Sequence, residues 1–133
     1  MIQILPFLLS GIICGLILFQ SFLIAPSINK LINKKDAAIL LRYLWPKFFL
    51  LIGFLSLVSV VLIYVGSMNQ EGLKYGSIVS VILMGVCYAI TPIINKAKDN
   101  SKDKRWFVLH LSTVLLTLIT LIVNVFILGY WNF

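Results

Sequence analysis

The chain alternates between four long apolar stretches and short segments that hold all of its charged residues. The stretches without Asp, Glu, Lys or Arg are residues 1–29, 48–70, 75–95 and 106–133. Each contains at least 21 residues, and a helix that crosses the hydrocarbon core of a bilayer needs about 20. We therefore predict four transmembrane helices in one domain that covers residues 1–133. Their expected bounds are about 4–25, 47–68, 75–95 and 106–130.

The composition supports this fold class and excludes a soluble domain. The chain is 61% hydrophobic and 11% charged, and its mean hydropathy is +1.07. A soluble domain has about a quarter of its residues charged, so this chain has too few charges to cover a water-exposed surface. The expected fold is an all-α, integral membrane four-helix bundle whose principal partner is the lipid bilayer.

Positive charge marks two of the three connections. Residues 30–47 carry five Lys or Arg and one Asp, and residues 96–105 carry five Lys or Arg and two Asp. The remaining connection carries one Lys and one Glu. Because Lys and Arg are retained on the cytoplasmic side, we predict an N-out, C-out, multi-pass protein of the plasma or inner membrane. Its basic inner loops would contact anionic headgroups. The net charge of +7 does not indicate nucleic acid, since these short segments offer no folded surface to bind it.

The first basic connection has its own helical pattern. Asp36 can cap the segment "AAILLRYLW", which has an apolar face and a single Arg42. This pattern predicts a short amphipathic cytoplasmic helix on the inner leaflet, between spans one and two. Pro26 is expected to end the first span, and Pro46 suits the first turn of the second.

A glutamine interrupts the apolar run "LFQSFLIAP" at the end of span one. With a rise of about 1.5 Å per residue, Gln20 lies about 9 Å inside Pro26, and His110 and Thr91 lie about 7–8 Å inside the nearest basic residue. We therefore predict that Gln20 hydrogen bonds to His110 or Thr91. The candidate interior polar cluster comprises Gln20, Thr91, His110, Thr113 and Thr117.

Polar residues recur at helical spacing along spans three and four. The first set is Ser77, Ser80, Met84, Cys87, Tyr88, Thr91 and Asn95, and the second is His110, Thr113, Thr117, Thr120 and Asn124. Hydrocarbon penalises such faces, so both should turn into the bundle. Two interpretations remain open: a hydrogen-bonded interior, or a pathway or pocket for a small solute. Gly11 and Gly15, one turn apart, are candidate helix-packing residues within the chain or between two copies.

The spans offer little for catalysis or cofactor binding. Apart from Lys47 at the first position of span two, they contain no Asp, Glu, Lys or Arg, and the chain has one histidine. Intramembrane ionisable groups normally mark ion pathways, and no nucleophile–base pair or phosphate-binding loop is present. Cys14 and Cys87 fall in mid-span, where small buried thiols are the expected interpretation. We predict no enzymatic activity, no cofactor and no metal site.

Several segments together resemble the transmembrane protein 205-like domain family, small four-helix membrane proteins of unknown function. They are "GLILFQSFLIAP", "LLRYLWPKFFLLIG", "TP" late in span three, and "RWFVLHLSTVLLT". By position, the family's motif residues fall on Gly15, Pro26, Trp45, Pro46, Phe48 or Phe49, Pro92, His110, and Ser112 or Thr113. Val86 and Thr117 stand where the family often has asparagines. The resemblance implies the fold and topology but no activity.

The sequence therefore favours a membrane protein that acts through its interior surface or through helix partners, with a homo-oligomer or another membrane protein as its partner. The alternative is a protein that handles or transports a small solute or metal ion through the inward polar faces of spans three and four. A continuous hydrated cavity from His110 to Asn124 would favour that alternative.

Overall fold

The structure is a computed structural model that describes residues 1–131. Within them the regular elements are all helical, and four helices are long and apolar enough to cross a membrane. The first is divided into a short 3₁₀ turn (Ile2–Ile4), α1 (Leu5–Phe19), a π-helical turn (Gln20–Ile24) and α2 (Ala25–Leu31). The other three are α3 (Lys34–Val65), α4 (Glu71–Asp99) and α5 (Asp103–Gly129).

The four long helices form an up-and-down bundle. α1 packs against α3 and α5, and α4 packs against the same two helices, so α1 and α4 occupy opposite corners. The connections 32–33 and 100–102 lie together at one end, here called the basic end. At the opposite end, the rings of Phe7 and Trp131 stack at 5.8 Å between centroids.

Two clusters of buried side chains form the core. The larger lies in the middle of the bundle and contains Ile13, Ile17, Phe49, Ile52, Met84 and Cys87. The smaller lies at the opposite end and contains Phe7, Ile63, Leu73 and Ile127. Every long helix contributes to the core, so the bundle interior is filled by side chains from its middle to the end away from the basic loops.

The first helix continues to Leu31, so the prediction that it ends at Pro26 was wrong. Proline lacks an N–H, and its ring clashes with the carbonyl group four residues earlier. The π-helical turn relieves this clash. In it the N–H of Ala25 donates to the carbonyl oxygen of Gln20, five residues earlier, and the widened turn makes room for the ring. The helix therefore crosses the proline instead of ending there.

The predicted short amphipathic helix is not a separate element, because its residues form the first turns of α3. Asn33 is the N-cap: its side chain accepts a hydrogen bond from the Asp36 N–H at 2.9 Å and donates to Asp36 Oδ2 at 2.7 Å. This reciprocal arrangement starts the helix three residues before the expected cap. Pro46 lies inside the helix and does not stop it, although it removes the hydrogen bond to the Arg42 carbonyl.

The predicted pair, Gly11 and Gly15, makes no close contact with another helix in the described part of the chain. A methyl group at Gly15 would meet nothing within 4 Å, and one at Gly11 would reach only Leu128 at 3.9 Å. Gly76 is different, because a methyl group there would lie 2.9 Å from Ile127 Cδ1. Small residues permit such close approach between helices, so Gly76 packs α4 against α5. Gly15 faces outward, where lipid or a second chain could pack on it.

Candidate functional site

The polar faces of α4 and α5 turn into the bundle, as predicted. Tyr88 is the exception, with 44% of its surface exposed. The buried polar residues of these two faces are Ser77, Ser80, Thr91, Thr113, Thr117, Thr120 and Asn124. Most of their hydroxyl groups donate to a carbonyl oxygen three or four residues earlier in the same helix, as Thr117 does to Thr113 at 2.8 Å. These side chains therefore need no ligand to satisfy them.

Within residues 1–131, two buried hydrogen bonds between polar side chains join neighbouring helices. Ser59 and Ser77 share one at 3.2 Å between α3 and α4, and Asn124 Nδ2 donates to Ser80 Oγ at 3.0 Å between α5 and α4. Cys87 and Cys14 are buried and contact carbonyl oxygens of α5 at 3.9 and 4.0 Å. The half of the bundle away from the basic end is thus a closed, hydrogen-bonded interior.

A cavity of about 470 Å³ occupies the basic end. Small-molecule sites usually have volumes of about 300–1,000 Å³, so this one is large enough for a ligand. All four long helices contribute to its wall. The lining includes Asn29 from α2; Lys34, Arg42, Trp45 and Phe49 from α3; Thr91, Asn95 and Lys98 from α4; and Trp106, His110 and Thr113 from α5.

The mouth of the cavity is positively charged. Arg42 Nη2 lies 2.6 Å from Asp99 Oδ1, and the same nitrogen is 3.4 Å from the Asn95 carbonyl oxygen. Asp99 balances one charge of this group, whereas Lys34 and Lys98 have no carboxylate partner within residues 1–131. The mouth therefore keeps an excess of positive charge beside an Arg whose remaining N–H groups can still donate.

Aromatic rings form much of the inner wall. Trp45 and Phe49 stack with centroids 5.6 Å apart, and Phe49, only 3% exposed, also belongs to the central core cluster. On the opposite side the Trp106 ring lies parallel to His110 at 5.2 Å, and Lys98 Nζ lies 4.4 Å from the Trp106 centroid. The wall thus changes from cationic at the mouth to apolar at the floor.

The predicted polar cluster is only partly assembled at this site. Thr91, His110 and Thr113 line the cavity, whereas Gln20 and Thr117 are not among its lining residues. Thr91 and Thr113 donate to carbonyl oxygens of their own helices, at 2.9 and 2.8 Å. A functional role for these residues stays a prediction.

The predicted hydrogen bond from Gln20 to His110 or Thr91 is absent. Gln20 is 8% exposed, and its Nε2 has no hydrogen-bond partner among the described residues. Similar depths along straight helices predict this contact, but Gln20 starts the π-helical turn. No Cα atom of that turn lies within 8 Å of a Cα atom in α4 or α5. Equal depth therefore does not bring the side chains together.

Sequence reasoning also missed the residues that give the cavity its character. The sequence pattern predicts a helix on the membrane surface for Arg42 and Trp45, whereas the structure places both in the cavity wall. Their spacing with Phe49 was the available signal: residues 42, 45 and 49 lie on one face of a helix that continues through Pro46. This face is not apparent if a helix is expected to begin at Pro46, because Arg42 and Trp45 then belong to a different helix from Phe49.

One comparison with known proteins gives a match. A family model described as a domain of unknown function (DUF4149) matches residues 8–131, which is nearly the whole chain. No curated protein and no solved structure matches.

Proposed function

This chain belongs to the DUF4149 family, and we propose that it is a non-enzymatic, multi-pass membrane protein that works by binding a small molecule at the basic end of its bundle. The binding surface is the interior wall formed by all four helices. Helix partners outside the bundle would respond to its occupancy, with outward-facing Gly15 as one contact point.

The cavity is the observation that carries this proposal. Most buried hydroxyl groups of α4 and α5 away from the basic end donate to carbonyl oxygens of their own helices, whereas the basic end keeps about 470 Å³ of unfilled space. Its wall combines cationic groups such as Lys98 with aromatic rings such as Trp45. A site that only connects helices would be filled by side chains, because protein interiors are close-packed.

Solute transport is a weaker interpretation of the same bundle. The cavity lining ends at Phe49, Thr91 and Thr113. Beyond these residues the central cluster, with Met84 and Cys87, fills the interior. Asn124 lies past that cluster and is bonded to Ser80 and to its own helix. The continuous cavity from His110 to Asn124 that would favour transport is therefore not what this packing supports.

The finer features of the proposal come from the charge pattern and the resemblance. We place the basic end in the cytoplasm and both termini outside, in the plasma or inner membrane, because Lys and Arg are retained on the inner side. The resemblance to transmembrane protein 205-like domains agrees with four spans and adds no activity.

Filling the cavity tests the proposal. Ala38 lines the cavity and is exposed, so Ala38→Trp should occupy it without breaking the core. Ala89→Trp, on an exposed position of α4 outside the cavity, is the matched control. After purification in a mild detergent, native mass spectrometry should detect a co-purified small molecule on the wild-type protein and on Ala89→Trp. Ala38→Trp should lack it. A molecule retained equally by all three proteins would contradict the proposal.

A further inference from the structure

The basic end of the bundle is open on one side. In the half of the bundle away from the basic end, α1 packs against α5. No Cα atom of Gln20–Ile24 or Ala25–Leu31 lies within 8 Å of a Cα atom in α5. Packed helices have axes 8–10 Å apart and would bring Cα atoms closer than this. The first helix therefore diverges from α5 after Phe19, toward the basic end. There α2 packs beside α3 but not beside α4 or α5.

This divergence begins at the π-helical turn and creates a gap beside the cavity. Asn29 of α2 lines the cavity from one side, and Trp106 and His110 of α5 line it from the other. The space between α2 and α5 faces outward from the bundle, in the direction of the surrounding membrane. A molecule could enter the cavity sideways, from the leaflet, as well as from the end.

The charge at the cavity mouth selects an anion. Lys34, Arg42 and Lys98 converge there with one paired carboxylate, Asp99. Arg and Lys bind phosphate through charge-assisted hydrogen bonds, and the Asn29 amide can add another donor. Basic pockets between transmembrane helices suit the headgroups of anionic lipids.

The floor selects an apolar body attached to that anion. Trp45 and Phe49 border the deeper part of the cavity, where a chain of methylene groups would be removed from water. Free phosphate would leave this apolar wall uncovered. A volume of about 470 Å³ suits a headgroup and the first part of an acyl chain, and the rest of the chain would leave through the gap between α2 and α5.

Gln20 leaves one buried donor without a partner among the described residues, at the start of the diverging segment. Ile13, Ile17 and Gln20 lie on one face of the first helix, and Ile17 packs in the same cluster as the cavity residue Phe49. Gln20 follows Ile17 by one turn toward the basic end, at the start of the diverging segment. Its Nε2 is buried without an acceptor from residues 1–131, and buried polar groups are normally hydrogen bonded.

We propose that the cavity binds a phosphate-bearing anionic amphiphile, taken from the membrane leaflet through the gap between α2 and α5. This inference rests on the proposed function and names the ligand class of the same site. The phosphate lies at Arg42, Lys34 and Lys98, and the chain lies along Trp45 and Phe49.

Native mass spectrometry of the full chain in detergent provides the test. The probes are phosphatidylglycerol, phosphatidylcholine with the same acyl chains, and inorganic phosphate, each titrated separately. We expect one phosphatidylglycerol molecule to bind, with phosphatidylcholine weaker and inorganic phosphate not retained. Arg42→Gln and Lys98→Gln should each weaken phosphatidylglycerol binding about fivefold, the effect of removing one basic residue near a lipid headgroup.

Two variants separate a specific site from net charge and from folding. Lys47→Gln removes the same charge from an exposed Lys that lies over the Tyr43 ring, outside the cavity, and should bind like the wild type. Asp99→Asn breaks the same ion pair as Arg42→Gln but leaves Arg42 unopposed, so it should bind phosphatidylglycerol more tightly. Weakening by Asp99→Asn would mean that the ion pair only holds the fold, and it would overturn the assignment.

The remaining outcomes are also decisive. Equal binding of both lipids, or equal losses in Lys47→Gln and Arg42→Gln, would overturn the phosphate site. Arg42-dependent retention of inorganic phosphate would assign the site to a water-soluble anion and overturn entry from the leaflet. If Ala38→Trp removes a co-purified molecule that is not an anionic lipid, this inference fails while the proposed function stands. If nothing co-purifies and no probe binds, both fail.

Discussion

Asn124 Nδ2 donates a hydrogen bond to Ser80 Oγ at 3.0 Å, which joins α5 to α4 in a fully buried part of the bundle. The same nitrogen donates to the carbonyl oxygen of Thr120 at 2.8 Å. The Ser80 hydroxyl group donates to the carbonyl oxygen of Gly76 at 2.9 Å. Each of the two side chains therefore has one hydrogen-bond partner in α4 and one in α5. This small network stands beside the close contact of Gly76 with α5.

This pair should have a small but measurable coupling energy. Hydrogen bonds between membrane helices contribute about 0.6 kcal/mol on average and up to about 1.7, so a double-mutant cycle of Asn124→Leu with Ser80→Ala should give a value in that range. Ser112→Ala is the control, because Ser112 bonds only within its own helix. Unfolding in mixed micelles measures the energies, and a coupling of zero would contradict the bond.

Gly76→Leu should destabilise the bundle because its side chain would meet Ile127 and Val123 at 2.9–3.3 Å. Overpacking a filled interface typically costs about 1–3 kcal/mol. Gly85→Leu is the matched control on the same helix, since a methyl group at Gly85 meets nothing within 4 Å. The difference in the free energy of unfolding between the two variants gives the cost, and equal stabilities would contradict the close approach.

Gln20→Leu should leave stability unchanged in lipid-free detergent, or raise it by about 1 kcal/mol, because it removes a buried donor that has no partner. Its effect should be additive with that of His110→Leu within about 0.5 kcal/mol, since the two side chains do not bond. Ile13→Ala, at a position 1% exposed on the same face, should instead cost about 2–5 kcal/mol. Strong non-additivity of the first pair would restore the hydrogen bond predicted from the sequence.

The proposed orientation predicts which connections react from outside the cell. In a variant without Cys14 and Cys87, a cysteine at Asn69 should react with an impermeant thiol reagent in whole cells. A cysteine at Asn100 should react only after the cells are opened. Both positions are exposed in connections between helices, so accessibility within the protein does not separate them. The reverse pattern would invert the topology.

Gly15 tests whether two copies of the chain associate. Gly15 is exposed and has open space around it, so Gly15→Leu should leave the folded monomer intact. If two first helices pack through this face, the variant should lower a dimer signal in cross-linking or single-molecule photobleaching. Gly129→Leu, also in open space, controls for added bulk. Loss of the folded monomer would contradict the outward position of Gly15.

The inward polar faces could be predicted because they follow from periodicity alone. A residue such as Thr120 is 0% exposed, as expected for a polar group that recurs at helical spacing and would be penalised in lipid. The helix bounds near proline were less predictable. Pro26 and Pro46 end helices in isolation, but here a π-helical turn and tertiary packing allow both helices to continue.

The cavity could not be predicted, because it depends on the direction in which the first helix runs. The pattern of polar and apolar residues does not fix that direction. Depth along the chain placed Gln20 and His110 at one level, but only the path of the first helix decides whether their side chains meet. That path changes at Gln20–Ile24, where no residue type signals a π-helical turn. In the sequence, Arg42 and Lys98 consequently look like charges of the connections between spans. In the structure they line the cavity.

The π-helical turn also sets the rotational phase of everything that follows it. Each residue advances an α-helix by about 100°, and a π turn accommodates one residue more than an α turn. Asn29 consequently faces the cavity with a rotational offset that an unbroken helix through the same residues would not give. Deleting Ser21 would keep that phase but would return the Pro26 ring to its clash with the preceding turn, whereas the same deletion in α4 would rotate half of a buried face toward lipid. The extra residue of the π-helical turn therefore both accommodates Pro26 and sets the direction of the helix beside the gap.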